Sequence, residues 1–207
     1  MIIREIRRNE INAVVELETQ AFSDYDYFTY FFPDAKERQR LQKAMIRCEY
    51  STNLHNSCCL AAEEDGRIVA TAQLNPPTYH KPSNLSYILH GWFGVYLAGH
   101  HKNINAWLAM NKEAGEPCHV FCAQEEGVWY LSALTVSPKV QGTGIGTRFL
   151  DSIEDYVRKA GGRWLTLYTN SDKNIAFYRH RGFEAFDERT LDTPNGPIKN
   201  WSVKKAL

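Results

Sequence analysis

A glycine-rich turn between an apolar strand and an amphipathic helix constrains this chain more than any other feature. The turn, Gln141-Gly-Thr-Gly-Ile-Gly-Thr147, follows an apolar stretch at residues 129–136, which Ser137-Pro138 ends because proline cannot donate to a β-ladder. Over residues 145–157, apolar side chains recur at intervals of three and four, which predicts a helix that ends at Gly161-Gly162. The turn therefore lies where a strand leads into a helix N-terminus.

This position suits a phosphate group. The first turn of a helix carries backbone N–H groups without intrahelical partners at the positive end of the helix dipole, and glycines let a phosphate approach them closely. Gly142, Gly144 and Gly146 each disfavour a helix by about 1 kcal/mol where they fall inside it. A tight connection that binds nothing is the plain alternative, but it offers nothing to offset that cost. We therefore expect a diphosphate at the turn.

The spacing of the glycines narrows the choice of ligand. A Walker-type loop requires Gly-x4-Gly-Lys-Ser/Thr, and no lysine follows Gly146. A dinucleotide fingerprint requires Gly-x-Gly-x-x-Gly near the first strand, whereas these glycines follow Gly-x-Gly-x-Gly about two thirds of the way along the chain. The pattern that matches is Gln/Arg-x-x-Gly-x-Gly/Ala, through Gln141, Gly144 and Gly146. It resembles the acetyl-CoA signature of the GCN5-related N-acetyltransferases (GNAT).

Two further segments resemble the same family. Residues 129–138, Trp-Tyr-Leu-Ser-Ala-Leu-Thr-Val-Ser-Pro, resemble its fourth strand. Residues 174–183, Asn-Ile-Ala-Phe-Tyr-Arg-His-Arg-Gly-Phe, resemble its later helix and the Gly-Phe that leads into the sixth strand. Within the family the puromycin acetyltransferase branch is the most similar, through residues 21–25, Ala-Phe-Ser-Asp-Tyr, and the strand that ends at Pro138.

The remaining pattern predicts an α/β fold. The elements follow the order β-α-α-β-β, then an irregular or helical insert at about residues 76–122, then β-α-β-α-β-β, which favours a mixed sheet with helices on its faces. Asp65-Gly66 between two apolar runs predicts an antiparallel hairpin, and Asp34 is a candidate N-cap for the second helix. The resemblance implies a GNAT-like, mostly antiparallel central sheet with helices on both faces and a splayed fourth and fifth strand pair. A length of 207 residues favours a single domain over residues 1–207.

Composition and charge argue against other classes of protein. The 24 basic residues balance the 24 acidic ones, so no overall positive field exists to attract nucleic acid or an anionic membrane. The N-terminus alternates apolar and charged residues, and no apolar run reaches the ~20 residues of a membrane span, so we expect a cytoplasmic protein. The five cysteines do not match zinc-site spacing, so we expect free thiols and no metal.

The resemblance implies how coenzyme A would be held. The backbone of the turn would bind the diphosphate through Gln141, Gly142, Thr143, Gly144, Ile145, Gly146 and Thr147. The pantetheine arm would lie between the splayed strands, like a short added strand, along the main chain of Leu134, Thr135 and Val136. One N–H group of that strand would polarise the thioester carbonyl. Asn174 is similar to a residue that contacts the arm.

The resemblance also implies a proton donor, Tyr178, because the family places its general acid there. A phenol with a pKa of about 10 can protonate a departing thiolate when the two are held in hydrogen-bond contact; packing under the cofactor is the alternative role. Several family members carry a glutamate near the start of the fourth strand, where this chain has Val128 and Trp129. The base is therefore unassigned. Glu126 shares strand parity with Val128, and a solvated loop carboxylate is the competing interpretation.

The aromatic segment at residues 22–32 also has two interpretations. In the family the loop between the first two helices lines the acceptor pocket, and Tyr25 and Phe28, with Asp24 and Asp26 beside them, would suit a cationic amine on an apolar body. Plain core packing is the other interpretation.

The expected function is that of an acetyl-CoA-dependent N-acetyltransferase. It would move an acetyl group to a primary amine of a small molecule by direct attack in a ternary complex. A non-catalytic acyl-CoA-binding module of the same fold is the alternative. The sequence leaves open the acceptor amine, the acyl chain length and the formation of a homodimer.

Overall fold

A computed structural model describes the whole chain, residues 1–207, and its centre is one seven-stranded sheet with the order β1-β2-β3-β4-β5-β7-β6. The strands are β1 Ile2–Glu5, β2 Cys58–Glu64, β3 Arg67–Asn75, β4 Val128–Val136, β5 Trp164–Thr169, β6 Glu184–Leu191 and β7 Ile198–Ala206. Every neighbouring pair is antiparallel except β4 and β5, which are parallel. The expected mixed, mostly antiparallel α/β sheet is confirmed.

Helices cover both faces of this sheet. They are α1 Ile11–Ala21, α2 Asp26–Thr29, α3 Ala35–Asn53, α4 Asn84–Tyr87, α5 Phe93–Ala98, α6 His101–Gln124, α7 Ile145–Lys159 and α8 Asp172–His180. Successive residues of β2 show the two faces, since Leu60 packs in one core with Phe149 of α7, whereas Cys59 packs in another with Val14 of α1. A bilayer span would require a longer apolar run than any of these helices provides.

Two helix predictions are confirmed in detail. Asp34 caps α3, because its carboxylate accepts a hydrogen bond from the backbone N–H of Glu37 at 2.7 Å. The apolar stripe of α7 is buried against the sheet through Ile145, Phe149, Leu150, Ile153 and Val157. This packing fixes the N-terminus of α7, and with it the glycine turn, at the end of β4.

The insert is more regular than the sequence indicates. It holds α4, a π-helical turn at Ile88–Trp92, α5 and then α6, whose 24 residues continue through Pro117. A proline inside a helix costs about 3 kcal/mol and predicts a break there. The helix continues because its face at Ile104, Met110, Ala114 and Cys118 is buried where α6 packs over β5 and β7.

The sheet opens between β4 and β5. Their parallel register comprises only Val128↔Trp164, Trp129↔Leu165 and Tyr130↔Thr166, although β4 continues to Val136. On its other edge β4 stays paired with β3 up to its last residue. Successive β3 residues pair with Leu131 and Ala133, so Ser132 forms a bulge, and a bulge bends and twists its strand. The expected splay is therefore present.

Candidate active site

The open edge of β4 presents main-chain groups towards β5. Ser137 N donates to Val69 O at 2.8 Å, so Ser137 faces β3, as does Thr135 two residues earlier, because main-chain direction alternates along a strand. Leu134 and Val136 therefore direct their N–H and C=O groups towards the gap. Of the three residues predicted to meet the pantetheine arm, Thr135 is turned away, and its buried side-chain hydroxyl has no hydrogen-bond partner.

The glycines of the turn are required by its backbone. Gly142 has φ 80° and Gly144, the N-cap of α7, has φ 84°, in the left-handed region that residues with a Cβ rarely adopt. Gly146 lies beside the end of β4, because a Cβ built there would be in ordinary van der Waals contact, at 3.4 Å, with Cγ2 of Val136. The start of α7 is therefore close to the open edge of β4.

The turn also exposes a set of backbone donors. Within it, Thr143 N donates to Val140 O at 3.4 Å, and the first helical bond runs from Arg148 N to Gly144 O. The other N–H groups donate to no acceptor of the chain; they belong to Gln141, Gly142, Gly144, Ile145, Gly146 and Thr147. No acidic residue lies in the first turn of α7, so the helix dipole acts there unopposed. This arrangement can bind an anion with several charges.

Tyr178 lies at the carboxyl end of β5, on α8. Its side chain is 7% exposed, and its ring packs between Phe177 and Phe183, with both centroids at 5.3 Å. The hydroxyl makes no hydrogen bond within the chain, and burial, with the nearby Tyr25 phenol, raises the pKa of Tyr178 well above its ordinary value. The side chain is therefore a neutral phenol at physiological pH, with its proton free to donate.

The aromatic segment reaches the same place through Tyr25. Asn170 N donates to the Tyr25 hydroxyl at 3.3 Å, and the Thr169 hydroxyl lies 3.4 Å from it. The structure thus brings Tyr25, Tyr178 and Asn174 together at the end of β5. Phe28 stacks on Trp107 of α6 at 5.9 Å, and it packs against the same aromatic core as Tyr25, which agrees with the core-packing interpretation.

Comparison of the sequence with models of known protein families identifies the family of this chain. The model of the Acetyltransferase (GNAT) family matches residues 12–183, which include the turn, the open strand and Tyr178. The chain belongs to the GNAT family. It is accordingly an acetyltransferase, and the family uses acetyl-CoA as its co-substrate.

Solved structures of other acetyltransferases share the fold. A polyamine N-acetyltransferase of Drosophila melanogaster, which catalyses the formation of N-acetylagmatine, has 17% identity and a TM-score of 0.61 over 100% of this chain and 99% of its own. A ribosomal-protein-alanine N-acetyltransferase of Brucella melitensis has 15% identity and a TM-score of 0.59 over 100% of both chains. No curated protein matched by sequence. At these identities the similarity establishes the GNAT fold.

Glu126, the candidate for the base, lies outside β4 of this acetyltransferase. Glu126 is exposed in the turn before β4, and Gly127 follows it with φ 72°, so strand parity with Val128 does not apply. The geometry agrees with a solvated loop carboxylate.

Sequence reasoning missed two carboxylates on the α1 and α3 face of the sheet. Glu18 is 3% exposed, and its Oε1 accepts hydrogen bonds from Tyr50 Oη at 2.6 Å and Thr71 Oγ1 at 2.7 Å; burial raises the pKa of Glu18 to about 7. Glu49 is partly buried, and burial raises its pKa as well.

A signal for both residues was present in the sequence. Glu18 lies four residues after Val14, and Glu49 lies four residues after Met45, so each falls on the apolar stripe of its helix. An acid on such a stripe is buried unless the helix ends before it.

Proposed function

We propose that this acetyltransferase transfers the acetyl group of acetyl-CoA to a primary amine of a small molecule, by direct attack in a ternary complex. One observation carries the proposal: the unpartnered N–H groups at the start of α7 adjoin the open edge of β4. A ligand with a diphosphate at one end and an amide-bearing arm at the other can engage both features at once.

The turn from Gln141 to Thr147 binds the diphosphate in this proposal. Leu134 and Val136 then pair with the amides of the arm, and Thr135 contributes only its place in the β3 ladder. The side chain of Gln141 donates to Val136 O at 3.1 Å, so the N–H of Val136 and both main-chain groups of Leu134 are the ones available to the arm. Asn174 flanks the other side of the gap, beside Tyr25.

Tyr178 acts as the general acid. The amine nitrogen attacks the thioester carbon, the carbon–sulfur bond breaks, and the phenol gives its proton to the departing sulfur. A hydroxyl without a partner inside the chain is free to reach the sulfur, and its raised pKa keeps it protonated until that step. Tyr178→Phe should therefore lower turnover by roughly 10²-fold or more, because a positioned acid contributes about that much.

The acceptor is proposed to be a small amine bound near Tyr25. The aromatic ring of Tyr25 and the adjacent acidic residues Asp24 and Asp26 suit the binding of a cationic amine. The Drosophila enzyme, which shares the fold, catalyses the formation of N-acetylagmatine, and this reaction is consistent with the proposed chemistry. A relationship with the puromycin acetyltransferase branch stays a prediction. We extend the proposal to a single domain over residues 1–207 that works in the cytoplasm, without nucleic acid or metal, and it leaves the formation of a homodimer open.

The test is release of free thiol from acetyl-CoA in the presence of a panel of amines, including polyamines, agmatine and puromycin. The wild-type chain should release thiol with at least one amine, and Tyr178→Phe should bind acetyl-CoA unchanged while turnover falls. Acetyl-CoA should also raise the melting temperature, whereas ATP and NAD should not. Binding of acetyl-CoA without turnover would favour the non-catalytic module, and stabilisation by ATP alone would contradict the acetyl-CoA assignment.

A further inference from the structure

A carboxylate without a role in the proposed chemistry lies near the point at which β4 and β5 separate. Gln73 of β3 pairs with Ala133, next to the bulged Ser132, where β4 begins to leave β5. Directly paired residues place their side chains on the same face about 5 Å apart. Gln73 Nε2 donates to Glu49 Oε1 at 3.2 Å, so a single side chain separates the Glu49 carboxylate from the point at which the sheet opens.

Hydrogen bonds hold one oxygen of this carboxylate and leave the other free. Glu49 Oε1 accepts from Asn53 Nδ2 at 2.8 Å as well as from Gln73, and Tyr79 Oη orients the Asn53 amide by donating to its oxygen at 3.0 Å. Oε2 accepts no hydrogen bond of normal geometry, although the Tyr87 phenol lies close enough to the carboxylate to lower its pKa, and the residue is only partly buried. The group is therefore fixed in position with one oxygen available to a proton.

Burial makes Glu49 a stronger proton acceptor than a solvated carboxylate. Burial raises the pKa of Glu49, while Gln73, Tyr87 and the Lys81 ammonium act in the opposite direction. The titratable groups that face Glu49 from the elements packed around it are Glu18 of α1, Cys48 of α3, Cys59 of β2, Tyr79 and Tyr87 of the insert, and Tyr130 of β4.

We propose that Glu49 is the general base that removes the proton from the acceptor ammonium, an inference that rests on the proposed function. An alkyl ammonium with a pKa of about 10.4 is neutral in only roughly one molecule per few thousand at pH 7, so the reaction needs such a base. Glu18 is a poorer choice because it is sealed and its Oε1 already accepts two hydrogen bonds. Glu126 lies outside the strand in solvent.

The protons balance as follows. The ammonium gives one proton to Glu49 Oε2 and becomes the neutral amine, whose nitrogen lone pair forms the new bond to the thioester carbon. When the carbon–sulfur bond breaks, the sulfur takes the proton of Tyr178, and the phenolate recovers a proton from the newly bonded nitrogen. Glu49 returns its proton to solvent. Ammonium and acetyl-CoA thus yield the N-acetyl amine, coenzyme A thiol and one proton.

The test compares Glu49→Gln with the wild-type enzyme, using kcat/KM from pH 5.5 to 9.5. With an alkyl amine the variant should lose roughly 10²-fold at pH 7, and the acidic limb of the profile should follow the neutral amine fraction instead of an enzyme group. With an alkoxyamine, which is already neutral at pH 7, the loss should be less than about threefold. The thermal shift produced by acetyl-CoA should be unchanged.

Two control variants make the result specific. Glu18→Gln removes the other buried carboxylate of this face and should keep the acidic limb of the kcat/KM profile, displaced only to lower pH because a like charge that faces Glu49 is gone. His119 lies on α6 with its ring 5.2 Å from Tyr130, and burial together with Lys81 lowers its pKa, so it is the rival base. A profile that changes in His119→Gln and not in Glu49→Gln would overturn the proposal, as would equal losses with both amines. No turnover by the wild type would overturn the proposed function together with it.

Discussion

The two glycines at the ends of α7 provide a matched pair of substitutions. Gly144 precedes the helix with φ 84°, Gly161 follows it with φ 79°, and a Cβ at either position would meet no atom within 4 Å. Alanine at either site therefore introduces backbone strain without a clash. Only Gly144 adjoins the unpartnered N–H groups of the turn.

The strain should be the same for both variants. A left-handed backbone costs a residue with a Cβ about 1–2 kcal/mol, and in a domain of this size each kcal/mol lowers the melting temperature by about 2–4 °C. Gly144→Ala and Gly161→Ala should each melt about 2–8 °C below the wild type. Calorimetry or circular dichroism of the unliganded proteins measures this directly.

The affinity for acetyl-CoA should separate the two variants. If the strained turn of Gly144→Ala relaxes, one or two hydrogen bonds to the diphosphate are lost. Each contributes about 1.5–3 kcal/mol to binding, because the acceptor is charged. The dissociation constant should then rise about tenfold to a hundredfold or more, since 1.4 kcal/mol corresponds to a factor of ten. Gly161→Ala should bind normally in the same calorimetric titration. Equal affinities in both variants would refute the assignment of the diphosphate to this turn.

Three further substitutions test other parts of the structure. Glu18→Gln should flatten the pH dependence of stability. Burial raises the pKa of Glu18 from 4.5 to about 7, so the folded chain binds this proton more tightly than the unfolded chain, and the wild-type free energy of unfolding should fall by about 3 kcal/mol as the pH rises through that window. Denaturant titrations at several pH values would detect this fall in the wild type and its absence in the variant. Gly162→Ala would place a Cβ 2.7 Å from Trp129 Cδ1 and should lower the free energy of unfolding by about 1–3 kcal/mol without a specific effect on acetyl-CoA binding; an unchanged melting temperature would contradict the packing. Tyr25→Phe deletes the contact with Thr169 and should raise the KM for the amine by up to about tenfold while the affinity for acetyl-CoA stays constant, and steady-state kinetics would show whether the two parameters separate in this way.

Local signals predicted much of the fold. The cap at Asp34, the hairpin around Asp65-Gly66 and the amphipathic stripe of α7 each depend on residues close together in the chain, and each is confirmed. The sequence also predicted that the aromatic segment contributes to the site, and the two residues named for it pack against one aromatic core but make different contacts. Tyr25 reaches the end of β5, whereas Phe28 packs on α6.

Features that depend on distant residues were beyond the sequence. Nothing in the sequence around Pro117 indicates that α6 will continue through this proline because it packs on β5 and β7. The position of β7 between β5 and β6 likewise depends on a long-range choice of partner. Glu49 falls on the apolar stripe of α3, which indicates burial, but its contact with Gln73, 24 residues later on β3, depends on how the strand packs against the helix.

The pairing between β4 and β5 is short, so the sheet consists of two groups of strands joined over a few residues. Strands β1 to β4 form one group and β5 to β7 the other, and on β4 only Val128, Trp129 and Tyr130 take part in the ladder between them. Motions that separate the two groups should therefore be concentrated at those residues, where the fewest ladder hydrogen bonds resist them. Because Trp129 packs in the core beside this short pairing, a smaller side chain there should weaken the connection between the two groups of strands.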